Sequence, residues 1–265
     1  LAAINPRDAG TPGAQQAAAH LRARLQALGI HTEVDVFTNA CPGGPAVFHN
    51  VVGVIPGWKG VTGWIVLGSH YDTKAGMAAP FDGANDSASS SGLLLELARL
   101  IKADRPLPFN VLIAFFDGEE CRRQYGPRDG LHGSRRLAEA LTADGRAPLV
   151  RAVIIMDMVG DRDLSVTLPR NGTPALLSAV FRAAAAEGVR DKFSLFPSEM
   201  LDDHQPFLET GMPAVDIIDF EYGSAPGKND YWHTPADTAD KLSAESLATV
   251  GRVVVRMLNG LAEGS

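Results

Sequence analysis

Three apolar runs in this sequence each end on imidazole or carboxylate side chains, and that pattern constrains the fold more than any other feature. Val111-Leu112-Ile113-Ala114, bounded by Pro108 and Gly118, reads as a buried strand. It runs into Phe115-Phe116-Asp117-Gly118-Glu119-Glu120, so two adjacent glutamates stand at its C-terminal end. Trp64 to Gly68 runs into His70-Tyr71-Asp72, and Val153-Ile154-Ile155-Met156 closes on Asp157. In α/β sheets, ligands bind outside the C-terminal ends of the strands.

The remaining elements alternate between strand and helix. Pro12 to Leu28 has a helical apolar stripe with proline in its first turn and Gly29 at its end. His31 to Phe37 alternates as a half-exposed strand near a sheet edge, and Phe48 to Ile55 is a second strand. Thr73 to Ser91 has a linker-like composition, yet a helix over Asp86 to Lys102 follows from the stripe Leu93, Leu94, Leu97, Leu100 and Ile101. Further helices are expected at Leu131 to Leu141, Pro174 to Glu187, Asp203 to Thr210 and Ser243 to Leu261, with strands at Leu164 to Leu168 and Pro213 to Ile218. Strands alternating with helices predict an α/β fold with a mostly parallel sheet covered on both sides. With no internal repeat and no second boundary, residues 1–265 are expected to form a single domain.

Composition excludes some partners. The net charge of −7 argues against nucleic acid, which requires a basic surface. No apolar run approaches the roughly 20 residues of a membrane span. Leu1 to Gly10 lacks the basic start and apolar core of a secretory signal. Two cysteines, Cys41 and Cys121, make no disulfide framework, and free thiols are expected.

The histidines and carboxylates at strand ends and in glycine-rich loops have the donor chemistry of a hydrolytic zinc site. Asp86, Glu120 and His233 would supply three ligands, leaving one position open. His70 and Asp157 would supply a second ion, with Asp86 bridging, since paired metals lie roughly 3.5–4 Å apart. Asp72, two residues beyond His70, can accept the imidazole N–H and fix its tautomer. Glu119 is then the free carboxylate beside the metal and the natural general base. His20, His31, His49 and His132 lack such company, while His204 beside Asp203 either lines the site or supports it. No nucleophile elbow, phosphate loop or dinucleotide fingerprint is present.

His70-Tyr71-Asp72, Gly83-Ala84-Asn85-Asp86-Ser87-Ala88, Gly118-Glu119-Glu120, Gly133-Ser134, Asp157 and Trp232-His233-Thr234 resemble, in this order, the motifs of metallopeptidase family 28. That family holds zinc aminopeptidases and glutaminyl cyclases. The resemblance spans nearly the whole chain and implies a three-layer αβα sandwich with a mixed, mostly parallel central sheet, as in zinc exopeptidases. It also implies a cis peptide bond at Asp86-Ser87. The insertion Cys121 to Asp129, ahead of Leu131-His132-Gly133-Ser134-Arg135-Arg136-Leu137-Ala138, is similar to that of animal cyclases, as is Asp202-Asp203-His204-Gln205-Pro206-Phe207.

As a cyclase the chain would convert the N-terminal glutamine of peptides to pyroglutamate with release of ammonia, using one zinc. The resemblance then implies a proton-sharing network of Glu119, Asp157 and Asp203, and a substrate pocket formed by Tyr125, Trp232 and Phe207. Two departures stand out. Cyclases carry tryptophan where this chain has Tyr125, and the loop Asp219 to Asp230 is longer and holds Asp219, Glu221 and Asp230, which could bind a substrate ammonium. The alternative is therefore an aminopeptidase with two zincs, and a remoter one is a metal-free binding domain. The expected partners are peptide or protein N-termini. A monomer is favoured, and the family habit is a secreted or periplasmic location.

Overall fold

A computed structural model of the protein describes residues 1–77 and 81–263. Its strands are β1 (His31–Asn39), β2 (Ala46–Ile55), β3 (Trp64–His70), β4 (Asn110–Phe116), β5 (Val150–Asp157), β6 (Val166–Leu168), β7 (Phe193–Leu195) and β8 (Ala214–Ile218). The helices are α1 (Pro12–Ala27), α2 (Ser90–Ala103), α3 (His132–Ala143), α4 (Pro174–Ala186), α5 (Gln205–Glu209) and α6 (Ala244–Glu263). The main sheet has the order β1-β2-β4-β3-β5-β8. Strands β4, β3, β5 and β8 run parallel, and the β1–β2 hairpin joins antiparallel at the β4 side.

The period of two along each strand divides the core into two layers. Ile65 and Leu67, Val111 and Ile113, and Ile154 and Met156 face α1, α2, α4 and α6. Val66, Leu112, Ala114, Val153 and Ile155 face α3 and α5. The result is the expected αβα sandwich with a mixed, mostly parallel sheet. Because the central strands are buried on both faces, they read as near-continuous apolar runs. The register sets His70 beside Phe116, Gly68 beside Ile155, and Asp157 beside Ile218, so the polar strand ends gather at one rim.

Three elements differ from their sequence expectation. The helix predicted from Asp86 begins at Ser90, because Asp86 and Ser87 have non-helical backbone angles inside the turn at residues 84–89. The Asp86-Ser87 bond is cis, as the resemblance implies. The side chain of Asp237 holds that turn by accepting the backbone N–H groups of Asn85 and Asp86 at 2.7 and 3.1 Å. Strand Leu164 to Leu168 contracts to β6, which lies outside the main sheet and pairs with β7. Three residues, Phe193-Ser194-Leu195, carry too little periodicity to announce a strand. In the edge strand β1, Val36 is exposed although it alternates with Glu33 and Asp35. Residues 78–80 of the Thr73 to Ser91 loop lie outside the described residues.

Cys41 and Cys121 are free thiols. Among the described residues no helix is long and apolar enough to cross a membrane.

Candidate metal centre and substrate cavity

The site begins where β3 ends. His70 is buried, and its backbone carbonyl accepts hydrogen bonds from the hydroxyls of Ser87 and Ser91 at 2.6 and 2.8 Å. These short side chains bring the start of α2 against the strand end and carry Asp86 with it. His70 Nε2 lies 3.2 Å from Asp86 Oδ1 and 3.2 Å from Asp157 Oδ1. On the other side of Asp86, His233 Nε2 lies 3.2 Å from Oδ2 and 2.8 Å from Glu120 Oε1. Two groups of possible metal ligands result, His70–Asp86–Asp157 and Asp86–Glu120–His233, each with its donor atoms within 4.8 Å of one another. The structure thus brings together all five residues singled out as ligands, with Asp86 common to both groups.

Asp72 does more than its spacing suggested. Its Oδ1 is 3.5 Å from His70 Nδ1, and its two oxygens accept the backbone N–H groups of Glu119 and Glu120 at 3.1 and 3.2 Å. One carboxylate therefore orients the imidazole and seats both glutamates. The chain turns into this seat at Gly118, whose φ is +77° and where a β-carbon would lie 2.4 Å from the ring of Phe48. Asp237, which seats Asp86, has no sequence signal beyond following His233 by four residues, and Tyr222 donates to it at 2.9 Å.

The charge balance suits a cation. Burial alone would lower His233, but Asp86 and Glu120 raise it to about 10. Burial would raise Asp86, yet hydrogen bonding to His233 and His70 holds it far below the carboxylate range. Burial and then the Asp86 charge push Glu120 up to about 7. Asp86 Oδ2 lies 3.2 Å from His233 Nε2, and Glu120 Oε2, 3.4 Å from Lys74 Nζ, accepts no well-formed hydrogen bond. Buried carboxylate oxygens beside two imidazoles fit the hard–borderline donor set of a zinc-type ion.

Both ligand groups open onto a cavity of about 360 Å³ lined by Glu119, Tyr125, Asp157, Asp202, Phe220 and Trp232, among others. Trp232 stacks on His233 at 4.0 Å and meets Phe220 edge-on at 5.0 Å. Glu119 is buried, and its pKa is driven well up, first by burial and then by the neighbouring carboxylates, against the pull of His70. The Tyr125 hydroxyl donates to it. Phe196, Glu199, Met200, Leu201 and Ile218 also line the cavity, and nothing in their sequence context marks them.

Three expectations need correction. Phe207 is fully buried on α5 against Phe116, with ring centroids 6.1 Å apart, so it belongs to the core and not to the substrate pocket. Asp203 is also fully buried and does not line the cavity, and the carboxylate that does is Asp202. Adjacent residues in the turn before α5 point to different sides, so the wall position falls to the first aspartate. The acids of the long loop, Asp219, Glu221 and Asp230, do not line the cavity. Asp219 accepts from the backbone of Ser165 and Glu221, and Asp230 accepts from Ser224. Of the other histidines, His204 is buried behind Asp202, 3.8 Å from Asp216, and supports the site without lining it.

The model of the family described as Peptidase family M28 matches residues 50–258. A glutaminyl-peptide cyclotransferase-like protein of Bos taurus is 30% identical over 283 residues, covering 95% of this chain and 71% of the bovine one. The crystal structure of a glutaminyl cyclase from an Acidobacteriales bacterium has a TM-score of 0.91 and 35% identity, covering 99% of this chain and 91% of that one. A Zn-dependent exopeptidase from Parabacteroides distasonis has a TM-score of 0.84 at 23% identity, covering 97% and 93%, and shares the fold. With a family model matching residues 50–258 and a relative 30% identical across 95% of its length, the chain belongs to peptidase family M28.

Proposed function

We propose that this protein is a glutaminyl-peptide cyclotransferase, an acyltransferase that closes the N-terminal glutamine of a peptide to pyroglutamate and releases ammonia. The observation that carries this reading is the cavity itself. It is walled by aromatic rings and ends on Glu119 beside Asp86, Glu120 and His233, in a chain that matches glutaminyl cyclases over nearly its whole length.

Asp86, Glu120 and His233 would hold a zinc ion, which when bound supplies positive charge to polarise the side-chain amide carbonyl. Trp232 and Phe220 fold the glutamine side chain back on its own α-amine, so the reaction is intramolecular and gains from fixed orientation. The α-nitrogen bonds to the side-chain carbonyl carbon, and the bond from that carbon to the amide nitrogen breaks. Glu119 takes the proton from the α-amine on a carboxylate oxygen and returns it to the departing nitrogen, which leaves as ammonia. Glu120, Asp202 and Asp203 hold Glu119 in a field of negative charge that raises its affinity for the proton it takes.

One observation favours a second reading. The group His70–Asp86–Asp157 is complete enough for a second ion, the arrangement of a two-metal aminopeptidase. The acids of the 219–230 loop weigh against it, because none of Asp219, Glu221 and Asp230 lines the cavity where a substrate ammonium would sit. Ammonia release from a peptide with N-terminal glutamine, measured beside hydrolysis of a leucine anilide, separates the two. Ammonia without anilide cleavage is expected, and the reverse would replace the cyclase with an aminopeptidase.

A further inference from the structure

Away from the cavity, on the far side of the double-glutamate turn, a second constellation of reactive groups is assembled. Cys41 is half-exposed in the loop between β1 and β2, and its Sγ lies 3.6 Å from His132 Nε2. The other ring nitrogen, Nδ1, lies 3.3 Å from the amide nitrogen Nδ2 of Asn39, and turning that amide over puts its oxygen there instead. Phe48 stacks on the imidazole at 4.5 Å and holds its plane. Thiol, imidazole and amide therefore stand in line, the order of a nucleophile, its base and the group that orients the base.

We propose that Cys41 is a nucleophilic modification site, with His132 as its base and Asn39 as the positioning residue, and that it exchanges with disulfides that carry carboxylates. Burial keeps the Cys41 thiol above its ordinary range and the His132 imidazole below its own, so the resting pair is neutral and the attack needs a base. The oxygen and nitrogen of an amide occupy equivalent places, so Asn39 can present its oxygen to Nδ1–H and leave Nε2 free to accept. The Sγ–H proton passes to His132 Nε2, and Sγ bonds to one sulfur of the incoming disulfide. The old sulfur–sulfur bond breaks, and its leaving thiolate takes the proton from Nε2 and departs as a thiol.

The preference for carboxylates comes from the adjoining cavity of about 320 Å³, where Arg128, Arg135 and Arg136 face a single acid, Glu139. Arg135 and Arg136 are also paired outward with Glu209 and Asp35, while Arg128 makes no ion pair among the described residues.

The test is the rate of reaction with dithiobis-nitrobenzoate, which carries two carboxylates, and with cystamine, which carries two ammonium groups, each relative to free cysteine. One thiol per chain is expected to react, and to favour the anionic probe over the cationic one by at least about tenfold more than free cysteine does. That phase should vanish in Cys41→Ser and slow roughly 10²-fold in His132→Gln. Asn39→Asp, which keeps an acceptor for Nδ1–H, should retain the rate that Asn39→Leu loses, and it supplies the comparison if His132→Gln does not fold. A Cys41 preference for the anionic probe no greater than that of free cysteine, equal rates in Asn39→Asp and Asn39→Leu, or a reacting phase that survives in Cys41→Ser would overturn the proposal.

Discussion

The Tyr125 hydroxyl lies 2.9 Å from Oε1 and 3.2 Å from Oε2 of Glu119, so one phenol spans both oxygens of the carboxylate that faces the cavity. The insertion that delivers it is stiff. Asp129 accepts the backbone N–H groups of Arg122, Arg123 and Gln124 at 2.5, 2.8 and 2.9 Å. Gly130, with φ +84°, packs so closely that a β-carbon there would lie 2.4 Å from the tyrosine ring. Where the resemblance implies tryptophan, this chain places a hydroxyl that anchors Glu119, the proposed general base. Tyr125→Phe should lower kcat about 10- to 100-fold with little change in KM, the effect expected when a hydrogen bond to a charged group is lost. An unchanged kcat would reduce Tyr125 to a wall of the pocket.

Glu119→Gln keeps the shape of the side chain and removes its basicity. Turnover should fall by roughly 10²- to 10⁴-fold while zinc binding is retained, because Glu119 belongs to neither ligand group. Steady-state kinetics and metal analysis of the same preparation check both halves. Loss of zinc along with activity would place Glu119 among the ligands instead.

Because Asp86 is shared, the two ligand groups can be tested separately. Asp86→Asn should weaken every bound zinc, whereas Asp157→Asn should affect only an ion held with His70. Calorimetric zinc titration of the two variants reads this directly. If the cyclase reading holds, the unsubstituted protein binds one zinc tightly and Asp157→Asn leaves that stoichiometry alone.

Asp202 and Asp203 are adjacent, yet only Asp202 lines the cavity. Burial and the Asp157 charge raise Asp202 to about 7. Asp202→Asn should therefore cut turnover more than Asp203→Asn, whose loss should appear mainly as a lower melting temperature. Equal kinetic effects would restore Asp203 to the network.

Stripped of metal, the protein should lose stability as pH rises. Glu120, Asp202 and Asp219 all sit at about 7 in the folded chain, against ordinary values of 4.5, 3.8 and 3.8, each mainly through burial. Between the two values the folded state binds more protons than the unfolded one, so stability falls with rising pH, by on the order of 3 kcal/mol for Glu120 alone. His233, raised from 6.5 to about 10, works in the same direction. Its stabilisation is complete below the unfolded value and is lost as pH passes the folded one. Bound zinc takes the deprotonated ligands and should reverse the trend. Urea midpoints at about pH 5 and pH 8, with chelator and with zinc, give the comparison. A chelated protein more stable at the higher pH would contradict the sign.

Much of this protein was determined by local sequence. The strands β3, β4 and β5 announce themselves as apolar runs, and β3 and β5 stop at His70 and Asp157, while β4 stops just short of Glu119 and Glu120, because a strand end is where side chains can leave the sheet and meet. Four of the five candidate ligands were legible for that reason, closing a run or following a glycine-rich turn, and His233 was legible from its motif Trp232-His233-Thr234. Only the tertiary structure decided which neighbour of a pair faces the cavity. Asp202 and Asp203, or Phe207 and Phe220, differ little in sequence context, and the packing of α5 against Phe116 sends one inward while a loop turns the other to the site. Nor does local pattern show that Asp72 and Asp237 hold other residues' backbone N–H groups. Those contacts join segments some 47 to 152 positions apart, and no periodicity records a contact of that range.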